Sequence, residues 1–474
     1  MVDTQEKPTA LYATQVKAYP QRIKGTFRNI KWLTLSVVLG LYYVLPWLRW
    51  DRGPSLPNQA VLMDLSGPRI YFFAIEIWPQ EIYYLTGLLV LGAIGLFLAT
   101  AIAGRVWCGF TCPQTIWTDL FIYVEGLIEG DRNKRIKLDK GPWTLNKISR
   151  KSLKHFVWFV ISILTGGVFI FYFADAPEIL IDMLTGQAST TVYGFVALTT
   201  GMTYLLAGMA REQVCIYMCP WPRFQGSMFD EDSLIVTYEE WRGEPRGKPK
   251  KDAEGLGDCV DCNLCVAVCP VGIDIRKGQQ FECIGCALCV DACDSIMTKL
   301  NRPLGLITYD SITNQNARKN GKPQTTKIVR PRTMAYAAML LLVSGIMGYG
   351  LMNRSELEIN VQRDRAPLFI RLSNGDIRNG YTFKILNMVN EKQTYTMTID
   401  GLEDAKLWII GVAPDPVEQV TIHVGADQVG TFRIFVSVSA DELEEHFSDI
   451  EFVMINTKTG EKTETKVAFA GPED

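Results

Sequence analysis

Eight cysteines between residues 259 and 293 restrict the folds open to this chain more than any other feature. Cys259, Cys262, Cys265 and Cys269 are spaced C-x2-C-x2-C-x3-C ahead of Pro270. Cys283, Cys286, Cys289 and Cys293 repeat the spacing, with Asp294 in the proline's place. Two-residue gaps let three thiolates wrap one corner of a cubane. In two-cluster ferredoxins the fourth cysteine of each run ligates the other cluster. The spacing therefore predicts two [4Fe–4S] clusters, one on Cys259, Cys262, Cys265 and Cys293, the other on Cys283, Cys286, Cys289 and Cys269. Zinc motifs usually carry one C-x2-C pair per half, so three cysteines in register, twice, argue against zinc and against a disulfide framework. An α+β two-cluster ferredoxin domain of the bacterial kind is expected over 258–310.

All twelve cysteines lie in such arrays, which leaves none for a structural disulfide. Ligand thiolates must stay reduced, so this part of the chain belongs in a reducing compartment. The formal charge of −3 argues against a nucleic-acid partner.

Five apolar runs, 31–49, 82–104, 156–174, 190–210 and 333–352, match the roughly 20 helical residues a bilayer requires. No small-residue cleavage site follows the first, so it reads as an uncleaved anchor. The loop after the second run carries Arg105, Arg132, Lys134, Arg135, Lys137, Lys140, Lys147, Arg150, Lys151 and Lys154; the loop after the third carries no Lys or Arg. By the positive-inside rule, residues 1–30, the loop at 105–155 and the loop at 211–332 are cytoplasmic, and 353–474 lie across the membrane. The expected order is an N-terminal segment (1–30), a four-helix membrane region (31–229), a polar linker (230–257), the ferredoxin domain, a basic linker near anionic headgroups (311–332), and a fifth helix (333–352). Beyond it, seven short β-branched and aromatic segments, from YTFKILNMV to TKVAFAG, predict an all-β immunoglobulin-like sandwich over 353–474, without the usual cysteine pair. Its His423 and His446 are not spaced as a metal pair, and only His155 lies near the membrane, so a bis-histidine haem is excluded. No GxGxxG follows a strand, which leaves no nucleotide fingerprint.

A second cysteine set ends two of the apolar runs: RVWCGFTCP holds Cys108 and Cys112, and REQVCIYMCP holds Cys215 and Cys219. Residues four apart share a face of a continuing helix. Pro113 and Pro220, however, place each motif at a helix end or kink. The repeat predicts four thiols at one membrane level. As small apolar side chains they would simply pack. As a site they suit Cu(I), a redox dithiol, or ligation of a further cofactor, and the residues leave these open.

With WCGFTCPQTIWTD, CPWPRFQG leading to SLIVTYEEWRGEPRG, the double cysteine motif leading to RPLGLITYD, and APLFIRLSNGDIRNGYTFKILN, the chain resembles the FixG/CcoG/RdxA family over essentially its whole length. These are membrane polyferredoxins linked to assembly of cbb3-type cytochrome c oxidase. The CxxxCP motifs alone are shared with NosR/NapH-like electron-transfer proteins. The resemblance implies a multi-pass protein of the bacterial inner membrane, a periplasmic immunoglobulin-like domain, and reduction of Cu(II) to Cu(I) for the oxidase. Cys108, Cys112, Cys215 and Cys219 would then be the catalytic or copper-holding thiols. Expected partners are copper ions, oxidase assembly factors or copper chaperones, and an unidentified cytoplasmic electron donor; a homodimer stays open. Two other functions remain: an electron conduit from a cytoplasmic donor or quinol to a periplasmic partner, and a non-catalytic redox sensor or assembly scaffold.

Overall fold

The computed structural model describes residues 17–53, 56–248, 255–354, 357–389, 391–413, 415–443 and 446–472. The chain forms two units, residues 1–50 with 59–347, and residues 51–58 with 348–474.

In the first unit, α1 (Thr26–Val44) is followed by a small antiparallel sheet, β1 (Val61–Asp64), β2 (Arg69–Phe72) and β3 (Ile75–Ile77), then α2 (Ile82–Ala103) and α3 (Pro113–Ile128). Next come α4 (Arg132–Lys140), α5 (Leu145–Ile170), α6 (Ala176–Thr185), α7 (Thr190–Thr203) and α8 (Trp221–Met228). The cysteine-rich insert contains β4 (Ile235–Tyr238), α9 (Glu240–Gly243), α10 (Leu264–Ala267), α11 (Leu288–Lys299), β5 (Ile307–Asp310) and α12 (Ile312–Lys319), and α13 (Pro331–Met352) closes the unit. Five helical stretches, Thr26–Trp47, Pro79–Ala103, Leu145–Ile170, Thr190–Ala210 and Pro331–Met352, are long and apolar enough to cross a membrane. Their apolar side chains point largely outward, with none of the apolar window of Pro331–Met352 buried, as a lipid-facing helix requires.

The structure corrects several expectations. The polar linker at 230–257 contains a strand: Ile235–Tyr238 pairs antiparallel with Ile307–Asp310, so the insert begins before its first cysteine. Val236 and Ile307 are buried together beside Cys265, which is why SLIVTY is apolar inside a polar stretch. The basic linker at 311–332 begins with α12, whose Arg318 pairs with Glu239 (2.5 Å) and with Asp310. The third apolar run starts earlier than 156. Ser311 caps α12, and Thr144 caps α5 by accepting from the Lys147 N–H (3.3 Å), so Lys147 to Lys154 are helical. The loop after that run holds α6, started by Asp175 and stopped by left-handed Gly186.

The second unit is a β-sandwich. Its strands are β6 (Leu357–Arg363), β7 (Ile370–Arg371), β8 (Ile377–Asn387), β9 (Gln393–Asp400), β10 (Lys406–Ile409), β11 (Val420–Val424), β12 (Gln428–Val438), β13 (Phe447–Asn456) and β14 (Lys462–Ala470). One sheet runs β10-β12-β8-β6 with β7 beside β8, and the other runs β11-β9-β13-β14. The seven expected strands are present, and β6 and β7 were missed at the N-terminal side. Inward-facing residues of β8, β9 and β13, namely Tyr381, Phe383, Tyr395, Met397 and Phe452, form the core without a disulfide. Tyr381 Oη donates to the Ala468 carbonyl (3.1 Å) across the two sheets. His423 is bonded to Thr394 Oγ1 (3.0 Å) along the β11–β9 pair, an ordinary cross-strand contact.

Candidate functional site

The two cysteine runs of the insert share one local design. Asn263 (φ 56°, ψ 16°) and Ala287 (φ 55°, ψ 16°) each lie between the second and third cysteine of a run, in the left-handed region, and each starts a helix, α10 or α11. A left-handed non-glycine residue costs roughly 1–2 kcal/mol, and it turns the chain so that the third cysteine faces back toward the first two. Arg276 braces the first turn, donating to Asp261 (2.7 Å), Asn263 (2.6 Å) and Asp274 (2.8 Å).

The fourth cysteine of each run lies beside the other run. Burial pushes the Cys293 thiol up to about 12, and Cys265, Asp294, Cys259 and Cys262 are the charges that push it further. The Cys269 thiol is likewise raised to about 12 by burial and then by Cys286 and Cys283. Cys269, Cys283, Cys286 and Cys289 line a single pocket with Val236, Ile273 and Leu288. Cys265, Cys289 and Cys293 meet in one apolar cluster with Val290 and Ile307. Four sulfurs around an apolar pocket fit a cubane. No described group of three or more Cys, His, Asp or Glu is close enough to hold a single metal ion. None of the twelve cysteines is in a disulfide.

The other four cysteines occupy two copies of one turn. Helix α2 stops at Gly104 (φ 58°, ψ −134°), and the stretch after α7 stops at Arg211 (φ 45°, ψ −115°), each four residues before the first cysteine of its motif. Gly104 has no alternative there, since a Cβ would meet the Leu234 carbonyl oxygen at 2.3 Å. Arg211 takes the same strained conformation because its side chain is tied down: Nε donates to the Gly208 carbonyl (2.8 Å) and Nη2 to Glu125 (2.9 Å). A wide turn follows, closed by Cys112 N–H to Trp107 O (2.8 Å) in one copy and Cys219 N–H to Val214 O (2.8 Å) in the other. These are π-type turns, which recur at functional sites. Cys112 then caps α3, with Pro113 at its first position, and Pro220 caps α8. The motifs are therefore not four-residue faces of a continuing helix; proline and the wide turn break the helix at each second cysteine.

The four thiols converge. Burial raises Cys108 to about 12, with Cys112, Cys215 and Cys219 adding to it and Arg105 opposing. Burial also raises Cys215 to about 12, with Cys112, Cys219 and Glu212 adding. Cys108 Sγ donates to Gln225 Oε1 (3.2 Å), and Gln225 is itself held by Thr100 (3.3 Å). Cys215 and Cys219 open on a cavity of about 460 Å³ that reaches Arg223 and Glu282.

This turn is laid against the second cysteine run. Cys108 and Cys215 pack on Ile284, Cys286 and Leu288. A Cβ on Gly109 would lie 2.9 Å from the Gly285 carbonyl oxygen, so the two backbones touch. Arg105 ties the contact, donating to the carbonyls of Cys283 (2.7 Å), Pro222 (2.8 Å) and Phe281. Gly109 and Gln225 went unread in the sequence, and Arg105 counted there only as one of the loop's cations. The one available signal was the basic residue ahead of each CxxxCP motif, and it does not name a partner.

Asp291 is a further unread residue. It sits on α11 between two cysteines, yet its carboxylate accepts from the backbone N–H of Phe27 (3.2 Å) and Arg28 (2.8 Å), capping the first membrane-type helix from the insert.

Comparison with known proteins adds the following. The chain is 47% identical over 471 residues to "Nitrogen fixation protein FixG" of Rhizobium meliloti, covering 92% of this chain and 90% of that protein. It is 43% identical over 477 residues to "Protein RdxB" of Cereibacter sphaeroides, covering 99% of both. Family models match at residues 210–312 (4Fe-4S dicluster domain), 85–135 (4Fe-4S binding domain) and 347–472 (the IG-like fold at the C-terminal of FixG). A crystal structure of a FixG-related protein from Vibrio parahaemolyticus aligns at 22% identity over 24% of this chain and 96% of that one, with a TM-score of 0.21.

Proposed function

Because the chain belongs to the FixG/RdxA family of membrane-type iron–sulfur proteins, we propose that it carries electrons to the four CxxxCP thiols and there reduces Cu(II) to Cu(I) for assembly of a cbb3-type oxidase. The observation that carries this reading is the packing of Cys108 and Cys215 on the Ile284–Leu288 stretch, which puts the thiols in contact with the second cysteine run. Cys259, Cys262, Cys265 and Cys293 hold one [4Fe–4S] cluster; Cys283, Cys286, Cys289 and Cys269 hold the other. When bound, each cluster takes up and returns one electron.

The chain's own residues do the rest. Arg105 draws the Cys283 loop onto the end of α2, and Gly109 and Gly285 let the two backbones meet. Burial keeps Cys108 and Cys215 protonated at neutral pH, so each releases a proton as its sulfur takes the copper ion. Soft thiolates then favour Cu(I) over Cu(II). Each Cu(II) gains one electron, and the cavity beside Cys215 and Cys219 supplies its way in. The positive-inside rule supports a cytoplasmic side for the cysteines of a bacterial inner-membrane protein and a periplasmic β-sandwich, and the proposed acceptors are copper chaperones or oxidase assembly factors.

A second reading draws on the 4Fe-4S binding model over 85–135, which contains Cys108 and Cys112. The four CxxxCP thiols would then hold a third cluster. Two clusters carry about eight iron atoms per chain and three about twelve, which an iron and sulfide count distinguishes.

The test uses purified protein reduced by dithionite under argon and freed of reductant. Cu(II) is added, and cluster reoxidation is followed against Cu(I) captured by a chromogenic chelator. Wild type yields Cu(I) as its clusters oxidise, while the variant with Cys108, Cys112, Cys215 and Cys219 changed to Ser stays reduced. Equal reaction of both assigns these cysteines another task, and no reaction in either removes copper as the acceptor.

A further inference from the structure

A second cavity, of about 380 Å³, opens at the foot of α1 and has no part in the thiol chemistry. Its size is that of a small-molecule site. Four cations line it, Arg22, Lys24, Arg28 and Arg135, against one carboxylate, Asp119. That carboxylate is already matched, by Arg28 at 2.9 Å and by buried Lys31 at 3.8 Å. Arg22 donates to the Tyr123 carbonyl (3.1 Å), and among the described residues neither it nor Lys24 has an ion-pair partner. Arg135 is 1% exposed; one nitrogen donates to Glu125 (3.0 Å) and another to the Pro20 carbonyl, while its Nε is buried with no hydrogen-bond partner. Two cations without ion-pair partners among the described residues, Arg22 and Lys24, beside two further guanidiniums suit the cavity to an anion.

The guanidiniums are held in place for one. Arg22 stacks on Tyr123 (5.1 Å) and Arg28 on Trp32 (4.3 Å), and the two rings meet edge to face at 4.8 Å. Cations beside Trp and Tyr at the end of an apolar helix form the pattern of a membrane interface. The apolar helical stretch begins at Thr26, beside the cavity, and only 17% of its apolar window is buried, as a lipid-facing helix requires. The inner wall is Val268, Pro270 and Leu288, which adjoin Cys269 and Cys289.

We propose that this cavity binds the phosphate of an anionic phospholipid headgroup, and that the bound lipid clamps the cysteine-rich insert to the membrane helices. A soluble phosphate shares the chemistry; the position at the foot of a membrane-type helix favours the lipid. The proposal rests on the five apolar helices and is independent of copper reduction.

The test is lipid retention by the full-length protein, read by native mass spectrometry after incubation in detergent with phosphatidylglycerol, phosphatidylcholine or inorganic phosphate. Wild type should hold phosphatidylglycerol in preference to phosphatidylcholine. The Arg22→Gln/Lys24→Gln variant should hold it roughly thirtyfold more weakly, the effect of removing two interfacial charges. Its cluster absorbance should be unchanged, because both side chains are exposed and hold no cluster ligand. Absence of headgroup preference in the wild type overturns the proposal whether or not the variant folds. Equal retention by variant and wild type also overturns it. Binding of inorganic phosphate without lipid assigns the cavity to a soluble ligand and overturns the lipid clamp.

Discussion

Replacing Gly109 with alanine tests the contact on which the functional reading depends. The glycine's own φ is not in the left-handed region, so alanine is strained only by what it meets. It meets backbone: the Gly285 carbonyl oxygen at 2.9 Å, the Gly285 carbonyl carbon at 3.0 Å and the Ile284 carbonyl oxygen at 3.0 Å. Backbone cannot swing aside as a side chain does, and the Cys283 carbonyl is held by Arg105 at 2.7 Å. Relief needs the two turns to part by about half an ångström, and overpacking of this kind costs about 1–3 kcal/mol. If that strain falls on the docking of the two turns, the open state grows about 5- to 150-fold. Hydrogen exchange on the full protein in detergent reads this directly, as faster exchange at 281–288 and at 105–112 with the β-sandwich unchanged. Gly92→Ala is the control, since its Cβ meets nothing within 4 Å and lies in α2, where alanine is favoured over glycine by about 0.5–1 kcal/mol. Matching exchange in the two variants would refute the contact and, with it, the path proposed for the electrons. In the copper assay Gly109→Ala should slow Cu(I) formation while iron content holds.

Other expectations are as concrete. Asp291→Ala removes a cap supplied from the insert to α1 and should cost about 2 kcal/mol, from cap and dipole together, read as roughly thirtyfold faster exchange at residues 26–29; Asp291→Asn should keep part of the protection. If Cys269 serves the same cluster as Cys283, the Cys269→Ser/Cys283→Ser variant should lose no more iron than Cys283→Ser alone, about half the total; loss of both clusters would break the crossed ligand assignment. The thiols of Cys108 and Cys215 are raised from 9.0 to about 12, so their thiolate fraction at pH 8 falls roughly a thousandfold below that of an ordinary cysteine. Maleimide labelling of these two sites should therefore be slow at pH 8 and climb tenfold per pH unit toward pH 12, with mass-mapped peptides as the readout. A rate that is fast and flat above pH 8 would refute the burial.

The residues that could be read in advance are those whose chemistry is local. A strand announces itself by alternation, and β8 to β14 do so. An apolar helix announces itself by length, and the five apolar runs do so, although the third helix begins at Leu145, eleven residues ahead of its apolar run, because Lys147 to Lys154 extend it with polar turns. Strand β4 is a failure of the same kind of reading: four residues in a polar stretch carry too little pattern, and their reason for being apolar is a partner about seventy residues later. The α1 cap was invisible for a stronger reason. Gly25 precedes the helix with no side chain to offer, and the carboxylate that caps it comes from Asp291, more than 260 residues away.

The sequence by itself determined which atoms hold the chemistry. Spacing places three thiolates of each run within a few residues, the proline after each CxxxC forces a helix break, and apolar length selects the membrane helices, because each of these effects acts over one or two turns of chain. Tertiary structure alone decided how those pieces meet. It laid Cys108 and Cys215 on the second cysteine run, set the Gly109 turn on the Gly285 turn and tied the two through Arg105, none of which the spacing announced. It also collected Arg22, Arg28 and Arg135 around one cavity. Contacts of this kind arise when faces distant in sequence exclude water together, and no local spacing encodes which face will find which.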